Sequence, residues 1–116
     1  PKALLVQADA CSLPFAEASF DAVFSRGSVF FWADLHAAFA GIKRCLRPGG
    51  QALIGGGYGI STPQAIIDGV RKAKSGGKGD IPRLDPGQLA EIAGQTGGQA
   101  KIFQAAGRGF WVHWKL

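Results

Sequence analysis

The chain has 116 residues, 47% of them hydrophobic and 18% charged, with a formal net charge of +5. That length fits one domain, and the balance of apolar to charged residues excludes a disordered or fibrous chain. No apolar run reaches the roughly 18 residues that suggest a membrane span, and the amino end lacks the basic-then-apolar layout of a secretory signal, so a cytoplasmic setting is the expectation.

Ala3 to Ala8 is short and almost continuously apolar, which predicts a strand buried on both faces of a parallel sheet. It ends in a lone acid, Asp9. "ACSLPFAEAS", Ala10 to Ser19, carries Pro14 and small polar residues and predicts a loop with at most one helical turn. Phe20 to Ser25, "FDAVFS", predicts a second buried strand. The link between these strands is shorter than the dozen or more residues a parallel crossover needs, so they are not expected to be sheet neighbours.

Asp34 to Leu46 carries the clearest helical pattern, with Leu35, Ala38, Phe39, Ile42 and Leu46 on one face. Asp34 suits the amino cap, and Lys43, Arg44 and Arg47 suit the carboxyl end. Pro48 cannot continue the helix, and Gly49 and Gly50 permit a reversal into a strand over Gln51 to Gly55. "GGGYG", Gly55 to Gly59, leaves that strand with almost no side chains. Thr62 and Pro63 fit the cap and first turn of a helix reaching about Lys74, with Ile66, Ile67 and Val70 on its apolar face. The Gly/Lys-rich stretch from Ser75 to Arg83 predicts a mobile loop. Asp85 and Gln88 form a candidate capping box and Leu84 and Leu89 a staple for a further helix, which Gly97 and Gly98 end. Ala100 to Gln104 and Phe110 to Leu116, joined by "AAGRG", predict an antiparallel hairpin.

Alternating strands and helices point to an α/β, Rossmann-like, mostly parallel sheet flanked by helices and ending in an antiparallel hairpin. Cys11 and Cys45 lack Cys-x-x-Cys spacing, so neither a disulfide framework nor a metal site is expected. Much of the positive charge falls on Arg71, Lys72, Lys74, Lys78 and Arg83, away from the aromatics, which favours a solvated face over a nucleic-acid surface. The chain contains no Met and opens at Pro1, one residue before an apolar run, which suggests sequence upstream.

In open parallel sheets, ligands bind beyond the carboxyl ends of the strands, and Asp9 and Ser25 both fall at such ends. A carboxylate there can accept from an exocyclic amine or a ribose while neighbouring backbone N–H groups donate to a ring nitrogen, as adenine recognition requires. An Asx-turn or a helix cap is the alternative role for the same residue.

The ordered set "VQADACSLPFAEASFDAVFS", a capped amphipathic helix and "IKRCLRPGGQALI" resembles the middle of class I S-adenosylmethionine-dependent methyltransferases, of the small-molecule type related to the ubiquinone and menaquinone methylating enzymes. The resemblance covers Ala3 to Ile54. It implies that S-adenosylmethionine is the cofactor and a small molecule the methyl acceptor. By the resemblance the Asp9 carboxylate holds the adenine amine, the backbone at Ala10 or Cys11 meets the ring edge, and the main chain around Ser25 and Arg26 lies near the methionine end. Leu13, Pro14 and Phe15 would wall the adenine.

The family's glycine-rich first turn and the acid ending its second strand have no counterpart, and "GGGYG" has the wrong spacing to replace the former. Residues 1–116 therefore resemble the carboxyl-terminal portion of a single methyltransferase-like domain. Without the upstream strands, Ala3 to Ala8 would be expected to re-pair or to exchange with a second copy, giving a homo-oligomer. No catalytic residue is assigned: His36 fits a surface helix and His113 a structural strand position, while Tyr58 is a substrate-side candidate. Phe30, Phe31 and Trp32 fit core packing before an acceptor pocket. A non-catalytic α/β scaffold, and behind it an RNA-associated methyltransferase, are the other readings.

Overall fold

The structure, a computed structural model, describes residues 2–59, 61–74 and 82–116. Most of the Gly/Lys-rich stretch, Lys78 included, lies outside the described residues.

Helix α1 (Leu35–Cys45) forms where the apolar period predicts it, and the Asp34 carboxylate accepts the Ala37 N–H at 3.0 Å to cap it. Its stripe of Ala38, Phe39, Ile42 and Cys45 is buried. Helix α3 (Pro86–Thr96) presents Leu89, Ile92 and Ala93 to the same core. Its cap is Asp85, which accepts from the Gly87 N–H at 3.0 Å, one residue earlier than the capping-box geometry through Gln88 would have it.

Both helices pack on one face of a four-stranded sheet ordered β1 (Phe20–Arg26), β2 (Leu46–Gly57), β4 (Gly109–Lys115), β3 (Gln99–Gln104). The β1–β2 pair is parallel, and β2–β4 and β3–β4 are antiparallel. Alternation in β4 sends Phe110, Val112 and Trp114 into the core beside Ala52 and Ile54 of β2, while Trp111 and His113 face the other way. Trp114 lies 5.3 Å from Phe39, ring centre to ring centre, and its indole N–H donates to the Gly97 carbonyl at 2.6 Å. That bond satisfies a polar group that would otherwise oppose burial.

Several expectations are corrected. Ala3 to Ala8 forms no strand: Leu4 and Leu5 are 92% and 96% exposed, and the segment makes no sheet pairing among the described residues. Its place in a sheet depends on a neighbouring strand, and among the described residues the outer edge of β1 stays unpaired. Neither re-pairing nor burial takes place within this chain, and the sheet is mixed, with a parallel pair only at β1–β2.

The Arg47–Gly50 segment does not separate α1 from the next strand. β2 begins at Leu46, which pairs with Phe20, and regular pairing resumes at Ala22 with Gln51, so Arg47–Gly50 bulge out within the strand. On helix α2 (Gln64–Lys74), Ile67 is fully buried but Ile66 is 57% exposed, leaving a narrower apolar face than expected.

Candidate functional site

The segment from Asp9 to Ser19 runs alongside α1 from its amino cap to its last turn. Asp9 and Ser12 form a tight turn: Asp9 Oδ1 accepts the Cys11 N–H at 2.8 Å, and the Ser12 N–H donates to the Asp9 carbonyl at 2.9 Å. Of the two alternative roles for Asp9, an Asx-turn or a helix cap, the Asx-turn is the one formed. The turn is attached to the start of α1 by Cys11 Sγ, which lies 3.4 Å from both the backbone N–H and the carbonyl of Asp34.

Further along, Leu13 is half-buried against α1 near Gly41, and the Arg44 guanidinium donates to the Leu13 carbonyl at 2.9 Å and the Phe15 carbonyl at 2.5 Å. The Ala18 and Ser19 N–H groups then bond the Arg44 and Cys45 carbonyls. A segment without regular structure is therefore held in place by helix α1. Leu13 packs toward that helix, and Phe15 meets Phe20 edge to face at 5.0 Å.

The turn leaves hydrogen-bonding groups over. One Asp9 carboxylate oxygen holds the turn; the other, and the Ala10 N–H, make no hydrogen bond among the described residues. A carboxylate oxygen can accept from an exocyclic amine, and a backbone N–H can donate to a ring nitrogen. The Cys11 N–H, by contrast, is committed to Asp9.

Ser25 and Arg26 end β1 on the side where α1 begins. Ser25 Oγ and Ser28 Oγ lie 2.8 Å apart, and Gly27 N–H donates to the Gly55 carbonyl at 2.7 Å. Arg26 turns its side chain across β2, Nε and Nη2 donating to the Gly57 carbonyl at 3.1 and 3.0 Å. There a cavity of about 540 Å³ opens at the carboxyl ends of the parallel pair, lined by Arg26, Phe30, Gly57, Tyr58, Arg71 and Gly107 among others. Arg71, expected on a solvated face, reaches from α2 to donate to the Gly107 carbonyl.

Of the aromatic candidates, Phe30 lines this cavity and packs 5.7 Å from Phe110, Trp32 packs 6.4 Å from Phe39, and Phe31 is 64% exposed. His36 is exposed on α1, and His113 Nε2 lies 2.8 Å from Gln51 Oε1. Cys11 and Cys45 are free thiols, and among the described residues no three His, Cys, Asp or Glu side chains converge. Among them too, no helix is long and apolar enough to cross a membrane.

Residues 1–54 match a sequence family described as "Methyltransferase domain". Over 49 residues the chain is 45% identical to the malonyl-[acyl-carrier protein] O-methyltransferase of Xylella fastidiosa (strain M23), a match spanning 42% of this chain and 17% of that protein. A proposed S-adenosyl-L-methionine-dependent methyltransferase of Methanococcus maripaludis superposes with a TM-score of 0.66 at 30% identity, over 94% of this chain and 52% of that one. Phosphoethanolamine N-methyltransferase 2 of Haemonchus contortus, solved with phosphomonomethylethanolamine and S-adenosylhomocysteine, gives a TM-score of 0.56 at 31% identity, over 82% of this chain and 22% of that one. The chain thus spans about half of the methanococcal protein and about a fifth of the other two. In sequence over its first 54 residues, and in fold over nearly its whole length, the chain is similar to methyltransferases.

Proposed function

We propose that the chain transfers a methyl group from S-adenosylmethionine to a small-molecule acceptor, as part of an enzyme of the ubiquinone- and menaquinone-methylating type in a cytoplasmic setting. In this reading residues 1–116 are the carboxyl-terminal portion of one domain, and the glycine-rich turn for the methionine part lies upstream. The observation that carries it is the pairing, at one turn, of an unengaged Asp9 carboxylate oxygen with the Ala10 N–H. The small-molecule acceptor is supported by the Haemonchus protein, solved with phosphomonomethylethanolamine.

When bound, S-adenosylmethionine supplies a methyl group already activated by its sulfonium, so the protein's work is alignment and exclusion of water. Asp9 and Ala10 would hold the adenine, with Cys11 fixing their turn to α1, and the main chain at Ser25 and Arg26 would lie along the methionine end. Phe30 and Tyr58 would shield the acceptor from water. No proton acceptor is assigned, since His36 is exposed on a helix and His113 is paired with Gln51.

Titration of S-adenosylhomocysteine into the ¹⁵N-labelled chain tests this. Saturable amide shifts concentrated at Asp9–Ser12 and Ser25–Gly27 are expected. A non-catalytic scaffold of the same fold forecasts the opposite, and no saturable shift at millimolar ligand would favour it.

A further inference from the structure

Taking the proposed methyltransferase activity as its basis, we infer that the cavity between β1, β2 and α2 binds an anionic group of the acceptor, a carboxylate or a phosphate, through Arg26 and Arg71.

Two guanidinium groups line this cavity, and among the described residues no Asp or Glu lines it. Among the described residues neither arginine meets a carboxylate; the ion pair that does form, Arg47 with Asp21, lies at the opposite end of β1. Each is held by a backbone carbonyl at the cavity rim, Arg26 by Gly57 and Arg71 by Gly107. A neutral carbonyl leaves the positive charge in place, and a guanidinium carries five N–H donors in a fixed fork. Anchoring part of the fork while leaving other donors for a ligand pre-organises it for a planar or tetrahedral oxyanion.

The rest of the wall suits a small acceptor. Phe30 supplies an apolar surface and Tyr58 a hydroxyl-bearing ring. The floor is backbone: a methyl group on Gly56 would come within 2.8 Å of the Phe30 ring, so this glycine keeps the aromatic close to the strand. The cavity opens at the carboxyl ends of the parallel strands, where ligands of such sheets bind. An anion anchored at Arg71 would orient the remainder of the acceptor toward the end of β1.

The test is an NMR titration of the ¹⁵N-labelled full chain at low ionic strength, following arginine Nε–H and backbone amide signals. Methyl phosphate and acetate are added in separate series, and the tighter of the two identifies the class of anion. Saturable shifts are expected at Arg26, Arg71, Gly57 and Gly107, with affinity at least about tenfold weaker in Arg71→Gln, the scale of losing a charged hydrogen bond. Arg71→Lys, which keeps the charge but not the fork, should lose a comparable share and controls for any change in α2. Uniform, non-saturable shifts at all arginines, or unchanged affinity in both Arg71→Gln and Arg26→Gln, would overturn the inference.

A third series with S-adenosylhomocysteine separates the two readings. No response at Asp9–Ser12 refutes the cofactor reading while leaving the anion site standing. A response at Arg71 Nε–H in the unsubstituted chain, together with a weaker S-adenosylhomocysteine affinity in Arg71→Gln read at the Asp9–Ser12 amides, assigns the cavity to the cofactor's own carboxylate and overturns the assignment to the acceptor.

Discussion

Asp9 has two tasks that one substitution can separate. Its Oδ1 accepts the Cys11 N–H, and this fold-keeping bond is retained in weaker form in Asp9→Asn, because an amide oxygen also accepts. The other oxygen becomes an NH₂ donor, which opposes the donor amine of adenine. Asp9→Asn is therefore expected to keep the amide pattern of residues 9–19 and weaken S-adenosylhomocysteine by about 1–3 kcal/mol, measured by the same titration. Wild-type affinity would remove Asp9 from the site, whatever the fold. Gly57 is a second residue with a definite role. Its φ is +131°, and a methyl group there would fall far inside contact distance of the Arg108 carbonyl, just before β4. Gly57→Ala should lower unfolding stability by about 1–3 kcal/mol in urea, because both the dihedral and the β2–β4 approach oppose a side chain. The run "GGGYG" thus has a packing reason, which its sequence spacing, wrong for the family's glycine-rich first turn, left open.

At the level of elements, α1 is both a core element and the support of the candidate site. Its cap holds the first turn, while the Asp34 backbone contacts Cys11 and Arg44 secures Leu13 and Phe15. Asp34→Ala leaves the backbone contacts and removes the cap, at a cost of about 0.5–2 kcal/mol. Hydrogen exchange should then quicken first at the start of α1 and in the Asp9–Ser12 turn; acceleration confined to α3 would contradict this coupling. The helices and the final hairpin were legible in the sequence because their causes are local: an apolar period, a cap within three residues, a turn of glycines. The apolar run Ala3 to Ala8 predicts a strand that does not form, because such a run is only half of the requirement, the other half being a partner. The start of β2 was misplaced for a similar reason, since the Phe20–Leu46 pairing that draws Leu46 into the strand spans residues far apart in sequence. Asp9 could be picked out by its position after an apolar run. Arg71 could not, for its partner Gly107 lies 36 residues away and the charges around it suggest a solvated face.

Over the whole molecule, the sheet has one covered face and one that is largely open. α1 and α3 bury Ala52, Ile54, Phe110, Val112 and Trp114, whereas on the reverse Phe24 is 67% and Phe103 54% exposed. Phe24 stacks on Trp111 with ring centres 5.6 Å apart, and a cavity of about 630 Å³ lies over Leu53, Phe103, Trp111 and His113. Among the described residues the outer edge of β1 beside this face is unpaired, and Leu4 and Leu5 are almost wholly exposed. An apolar face next to an open strand edge favours association, since each large side chain buried contributes roughly 1.5–3 kcal/mol and an edge offers a row of unused backbone partners. The chain of 116 residues alone is therefore expected to self-associate reversibly at micromolar to millimolar concentration. Sedimentation velocity should show an average mass rising with concentration, and Phe24→Ser with Phe103→Thr should lower it, with little loss of the core on the other face. A monomer of constant mass over that range, unchanged by the double substitution, would mean that Leu4, Leu5 and the open face are harmless in water. The same surface explains why covering polypeptide would be stabilising: joined upstream sequence that pairs with β1 should abolish the association and raise the unfolding midpoint together.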